Sequence, residues 1–163
     1  MSEEVLLSDH VREEIERWKA RFPEDRQRSA VIGALHAVQH ENNGYLTAEL
    51  MNEVAAYLDL PTIQVYEVAT FYSMFQTKPV GRHNVAICTN VSCMLRGGEE
   101  LLERVEKKLG IRVGESTKDG RIYLKKEEEC LAACCGAPMM MVDHRYHENL
   151  TFKKVDEILD SLE

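Results

Sequence analysis

Four of the five cysteines in this 163-residue chain fall in two tight pairs far apart in the sequence. Cys88 and Cys93 are separated by four residues, and Cys130 and Cys134 by three. The interval between the pairs, residues 94–129, is long enough for a helix and two strands. Any chemistry that joins the pairs therefore forces this half of the chain to fold back on itself. The fifth cysteine, Cys135, follows Cys134 directly. An odd number of cysteines, with no export signal, argues against a disulfide framework and points to metal binding or redox use.

The residues around the pairs predict the elements that carry them. The stretch 83–88, HNVAIC, alternates and is β-prone, so it predicts a strand with Cys88 at its end. Residues 89–93, TNVSC, are expected to be a loop. Gly97 and Gly98 open a helix with Glu99 and Glu100 in its first turn and Lys107 and Lys108 in its last, as the helix dipole prefers, and Gly110 ends it. IRV at 111–113 and RIYL at 121–124 flank a turn at Lys118-Asp119-Gly120 and are expected to pair as strands. Beyond the cysteine-rich loop, MMMV at 139–142 and RYH at 145–147 suggest a hairpin around Asp143-His144. Thr151 then caps a last helix carrying Phe152, Val155, Ile158, Leu159 and Leu162. This half is α+β, ordered βαββ, loop, ββα.

Each cysteine pair thus follows a strand, and two loops at one end of a sheet converge. Four thiolates in two pairs suit a [2Fe–2S] cluster, because each tetrahedral iron already has two bridging sulfides and needs two thiolates from the protein. Zinc tolerates the same spacings, so spacing alone leaves it open. The small-residue loop LAACCGAP, 131–138, favours the cluster, since it can bring backbone N–H groups close to sulfur and so manage a change of charge that zinc never undergoes. A thioredoxin-like thiol couple would want C-x2-C, which the chain lacks. Adjacent side chains point apart, so only one of Cys134 and Cys135 is expected to bind; Cys134 is the choice.

The first half reads as helical. Ser8 caps a helix with Val11, Ile15, Trp18 and Phe22 on one stripe, ahead of Pro23. A second carries Val31, Ala34, Leu35 and Val38 and stops at Asn42-Asn43-Gly44. Thr47 caps a third with Leu50, Val54, Tyr57 and Leu58, where Leu46 and Met51 are placed to staple its start. A fourth begins near Pro61 and includes Val65, Tyr66, Ala69, Phe71, Tyr72 and Phe75. The pattern changes at Pro79-Val80-Gly81, which divides the chain into a helical bundle, 1–79, and an α+β domain, 80–163.

Composition narrows the partners. A hydrophobic content of 44% supports a buried core, and a net charge of −8 gives no electrostatic footprint for nucleic acid or anionic lipid. The longest apolar runs fall far short of the roughly 20 residues a membrane span needs, and the acidic N-terminus MSEEVLLSDH is unlike a signal or transit peptide, so a soluble chain with protein partners is expected. Residues 47–75 have the helix–turn–helix outline of a DNA-binding regulator. Charge opposes that alternative, because Glu49, Glu53, Asp59 and Glu67 between Gly44 and Lys78 face only Lys78 itself.

Three segments together, YEVATFYSMF at 66–75, ICTNVSCMLRGG at 87–98 and ECLAACCGAPMMMV at 129–142, resemble the E-subunit family of bacterial NADH:quinone oxidoreductase (respiratory complex I). That family is a branch of the thioredoxin-like [2Fe–2S] ferredoxins, and the resemblance runs from about residue 28 to the end. It implies a helical N-terminal region followed by a thioredoxin-like domain, with Cys88, Cys93, Cys130 and Cys134 as ligands of one [2Fe–2S] cluster. It also implies a partner subunit that holds FMN and oxidises NADH, one electron from that flavin being held by the cluster, and further iron–sulfur subunits in the same peripheral arm. The chain has no G-x-G-x-x-G after a strand and no P-loop, which agrees with nucleotide and flavin sites on another chain. The resemblance makes this an electron-holding subunit of the dehydrogenase with no catalytic acid, base or nucleophile of its own, located in the cytoplasm and attached to the inner membrane through the complex. Equivalent small subunits of NAD-linked hydrogenases and formate dehydrogenases share the motif set. Ala132 departs from the glycine of many relatives, and Cys135 is an additional sulfur.

Other residues are expected to be structural. His36 and His40 lie one helical turn apart but have no third ligand in the sequence, so they read as solvent-facing. His83 is near the first pair, yet a Rieske site needs two histidines in place of two cysteines. The aromatics of 66–75 read as core, and KKEEE at 125–129 as a solvated stretch whose charge would disfavour reduction of a nearby cluster. Met139, Met140 and Met141 cannot all point inward from a strand, so at least one should be exposed or cover the cysteine loop.

Overall fold

The computed structural model describes residues 7–125 and 130–163. All but Lys125 of the charged 125–129 stretch lies outside the described residues. The chain divides into two compact units, Met1–Pro79 and Val80–Glu163.

The first unit is helical: α1 (Asp9–Lys19), a 3-10 segment (Glu24–Ala30), α2 (Val31–Glu41), α3 (Ala48–Tyr57) and α4 (Thr62–Phe71). The Ser8 and Thr47 hydroxyls accept from the N–H groups of Val11 and Leu50, which supplies partners for otherwise orphaned helix donors. At the end of α2, Asn43 and Gly44 both take positive φ and turn the chain. Val11, Ile15, Val31, Ala34, Leu35, Val38, Leu46, Met51, Val54 and Val65 form the core.

The fourth helix is shorter than its apolar spacing suggests. Tyr72 is already extended, and the segment after it is held by bonds to other helices. Gln39 donates to the Met74 carbonyl at 3.1 Å and accepts from the Gln76 N–H at 2.7 Å, while Leu46 N–H donates to the Gln76 carbonyl. These bonds swing Phe75 into the core, a burial worth roughly 2 kcal/mol. They leave Phe71 80% exposed and Tyr72 40% exposed, so those two aromatics are not core.

The second unit is a five-stranded sheet in the order β2-β3-β1-β4-β5, with β1 His83–Ile87, β2 Glu115–Ser116, β3 Ile122–Leu124, β4 Met140–Val142 and β5 Arg145–His147. Strand β1 pairs parallel with β3, Val85 opposite Leu124, and antiparallel with β4, Ile87 opposite Met140. The β4–β5 turn is the expected Asp143-His144, both at positive φ as a tight hairpin turn requires. Its helices are α5 (Val91–Met94), α6 (Gly98–Leu109) and α7 (Phe152–Ser161), the last capped by Thr151. Leu101 and Val105 of α6 and Val155 and Leu159 of α7 share a core with Val85, Ile87, Ile122, Leu124, Met140 and Val142. Phe152, assigned to that stripe from spacing, is 49% exposed.

Two local expectations are corrected. Residues 91–94 form a one-turn helix, because the Asn90 side chain caps Val91 N–H. Residues 111–113 are not a strand: Glu106 accepts from Val113 N–H and Glu115 from Arg112 N–H, so side chains satisfy the donors a ladder would have used. Bonding to β3 starts at Gly114, at φ 85, whose N–H donates to the Leu124 carbonyl.

Candidate metal centre

Parallel pairing of β1 and β3 sends both strands toward the same end of the sheet, which is why two loops far apart in the sequence can meet. Cys88 follows β1 directly, its N–H donating to the Met139 carbonyl at 3.2 Å. Helix α5 then carries Cys93 back beneath it, and both cysteines are buried, 2% and 1% exposed. Gly98, the first residue of α6, packs against this turn so closely that a Cβ would stand 2.8 Å from the Cys88 carbonyl oxygen and 2.9 Å from that of Cys93.

Cys130 and Cys134 come from the segment beyond β3, their sulfurs 3.4 Å apart and both residues exposed. Ala132 N–H donates to Cys130 Sγ at 3.3 Å from a backbone at φ 63. That left-handed conformation accounts physically for a glycine preference at this position. The loop is anchored beyond the cysteines, where Asn149 N–H donates to the Gly136 carbonyl at 2.7 Å and Leu150 N–H to that of Pro138 at 2.9 Å. Cys135 is exposed on the 3-10 turn Cys134–Gly136.

The two pairs share one electrostatic environment. Desolvation, then the hydrogen bond with Cys88, push the Cys93 thiol up to about 11, opposed by a hydrogen bond from the Met139 backbone; Cys130 also contributes. The Cys134 thiol is raised by its hydrogen bond with Cys130 and by the charge there, with a smaller contribution from Cys88, and is drawn down by a hydrogen bond from Ser92. A cationic metal must therefore displace protons that the metal-free protein holds firmly.

These residues fit a [2Fe–2S] cluster. Their sulfurs stand as two interacting pairs, two thiolates for each of two irons. The three methionines divide as the alternation demands: Met139 packs with Cys88, Cys93 and Ala137, Met140 joins the sheet core, and Met141 is half-buried.

Other candidates lie elsewhere. His83 begins β1, roughly 17 Å of strand away from Cys88, and bonds Asp143 at 2.6 Å and the Glu163 carbonyl oxygen at 2.8 Å. His40 is exposed, whereas His36 is half-buried with its ring 4.9 Å from that of Phe75. Both line a groove with His10 and Glu14, ligand types that sequence spacing did not bring near them, but no three of these meet at a point. Gly98 has no site role legible from spacing beyond its place in RGG, whereas the Ala132 N–H on Cys130 Sγ is the kind of sulfur contact expected of the small-residue loop.

The family model for thioredoxin-like [2Fe-2S] ferredoxin matches residues 15–163. The chain is 47% identical over 151 residues to E subunit 2 of the NADH-quinone oxidoreductase of Rhizobium meliloti (strain 1021), covering 93% of this chain and 88% of that protein. It is 40% identical over 142 residues to the E subunit of the NADH-quinone oxidoreductase of Rickettsia bellii (strain RML369-C), covering 87% and 84%. Among solved structures, NAD+-reducing [NiFe]-hydrogenase in the air-oxidized state shares the fold, with a TM-score of 0.66 and 24% identity over 77% of this chain and 22% of that one. Among the described residues no helix is long and apolar enough to cross a membrane.

Proposed function

The chain belongs to the thioredoxin-like [2Fe–2S] ferredoxin family, alongside the E subunits of NADH-quinone oxidoreductases, and from that premise we propose that it is the electron-transfer subunit of such an oxidoreductase. Cys88, Cys93, Cys130 and Cys134 are its four ligands. When bound, the [2Fe–2S] cluster supplies a one-electron couple beside the flavin of a partner subunit. FMN and NADH belong to that NADH-oxidising partner, with further iron–sulfur subunits in the same arm, and the assembly lies on the cytoplasmic side of the inner membrane.

The observation that carries this assignment is the meeting of two cysteine pairs at one end of β1 and β3. The chain's own residues bind and shield. The four thiolates bind, Met139 and Ala137 exclude water from the buried pair, and Cys130 and Cys134 remain on the open side. Val91, Met94 and Leu95, exposed by 64%, 43% and 76% beside Cys93, give an apolar rim to a partner approaching that side. Residues 80–163 act as the cluster domain and residues 1–79 as a helical domain attached to it.

A second assignment, the equivalent small component of an NAD-linked hydrogenase or formate dehydrogenase, is favoured by the fold shared with the NAD+-reducing hydrogenase. The proteins that co-purify with the native chain separate the two. Iron and acid-labile sulfide analysis with EPR after dithionite tests the cluster itself. Two irons, two sulfides and a spin-half signal are expected, lost on Cys→Ser replacement at each of the four ligands and kept in Cys135→Ser. A colourless protein holding zinc overturns the assignment.

A further inference from the structure

His83, the first residue of β1, is held between two acceptors. Its Nδ1 lies 2.6 Å from Asp143 Oδ2 in the β4–β5 turn, and its Nε2 lies 2.8 Å from the Glu163 carbonyl oxygen beyond α7. Asp143 is fixed from its other side, where Oδ1 accepts from Asn84 N–H at 2.8 Å and its own N–H donates to the Asn84 carbonyl. An ionised carboxylate and a carbonyl only accept, whereas a neutral imidazole has one N–H to give and one lone pair. Both bonds therefore exist together only when the ring carries two protons. The same end of α7 has a second tie. Arg121, just ahead of β3, donates to the Leu159 and Leu162 carbonyls at 2.9 Å and 2.8 Å, and its guanidinium cannot be deprotonated.

We propose that His83 is a proton-operated latch on the end of α7, closed when the imidazole is doubly protonated and opened at Glu163 when it gives up one proton. The proton given up is the one on Nε2, because the bond from Nδ1 to the Asp143 carboxylate is charge-assisted and the stronger of the two. Nε2 then turns a lone pair toward the Glu163 carbonyl oxygen, and the two repel. The latch thus holds at low pH and is lost as pH rises through the interval in which histidine is the side chain that changes charge. Arg121 is unaffected, so opening is confined to the residue past Leu162. The other charges on the surrounding elements are Arg82 ahead of β1, His144 and Arg145 of the hairpin, and Glu163 and Asp160 at the end of α7, the last paired with Lys108. Of these, His144 is the one that can change charge in the same interval, and the test separates its effect from that of His83.

The test is NMR of the full chain at about pH 5 and about pH 9, either side of that interval, reading the ring nitrogens of His83 and the backbone order parameters of Leu162 and Glu163. At the lower value both ring nitrogens should carry protons and both residues should be rigid, near about 0.85; at the higher, Nε2 should be bare and Glu163 should fall below about 0.6. Asp143→Asn should abolish the change. Its amide N–H donates to the unprotonated Nδ1 while its oxygen still accepts from Asn84 N–H, so a neutral ring keeps Nε2–H on Glu163 and the end stays rigid at both values. His83→Gln, which takes up no proton, should show the same order at both. A wild type equally rigid at the two values, or a rigid end beside a neutral ring, overturns the latch. So does an Asp143→Asn end that loosens as the wild type does, or a pH response that survives in His83→Gln, which would belong to another group such as His144. Should His83→Gln fail to fold, the wild-type ring signals and Asp143→Asn decide the matter.

Discussion

Cys93 shows how burial and ligand chemistry oppose each other at a single residue. It is 1% exposed, shares a hydrogen bond with Cys88, and its thiol is pushed up to about 11. In the unfolded chain the same thiol titrates near 8.5–9. A group whose folded-state value is raised contributes stability that is intact below the unfolded value and is lost as pH rises toward the folded one. Metal-free protein should therefore lose on the order of 2 kcal/mol between about pH 9 and pH 11 from this thiol. Urea unfolding of the metal-free chain across that range, with Cys93→Ala as control, measures it; identical slopes for the two proteins would count against the assignment. The sequence placed Cys93 by spacing, but its depth depends on the one-turn helix capped by Asn90. Ala132 is the complementary case. The departure from glycine was visible in the letters, while the left-handed backbone that gives it meaning was not.

Contacts between elements predict which damage reaches the site and which does not. Helix α6 begins with Gly98 because a Cβ there would meet the Cys88 carbonyl at 2.8 Å, and backbone cannot give way as a flexible side chain can. Gly98→Ala should push the first cysteine loop outward, destabilise the protein by about 1–3 kcal/mol and reduce iron content measurably. In the helical unit, Gly33 on α2 lies under Trp18 of α1, where a Cβ would come within 2.3 Å of the ring. Gly33→Ala should destabilise by a similar amount and leave the EPR spectrum of loaded protein unchanged. An altered spectrum would mean that the cysteine site depends on that helix pair. The caps at Ser8, Thr47 and Thr151 were legible because a side-chain oxygen satisfies neighbouring N–H groups locally. The end of α4 was not, because distant Gln39 and Leu46 supply the bonds that hold the chain beyond Phe71.

Each of the two units has its own buried cluster, and the cysteines lie wholly within Val80–Glu163. Metal bound to the folded state alone adds its binding free energy to that state's stability. Removing iron with a chelator under reducing conditions should therefore lower the thermal unfolding of the cysteine-bearing unit by several degrees. The helical signal of the first unit should persist to its original temperature, as far-UV circular dichroism alongside visible absorption would show. Simultaneous loss of both signals would argue that the units unfold as one. The amino-acid order settled what depends on neighbours in the chain: the helix starts, the Asp143-His144 turn, the strand before Cys88, and the two-and-two grouping of thiols. Long-range pairing settled the rest. Parallel β1 and β3 carried both loops to one end of the sheet, and Met139 was brought over the buried pair. Local propensities act over a few residues, whereas these placements depend on which strands exchange hydrogen bonds across tens of residues.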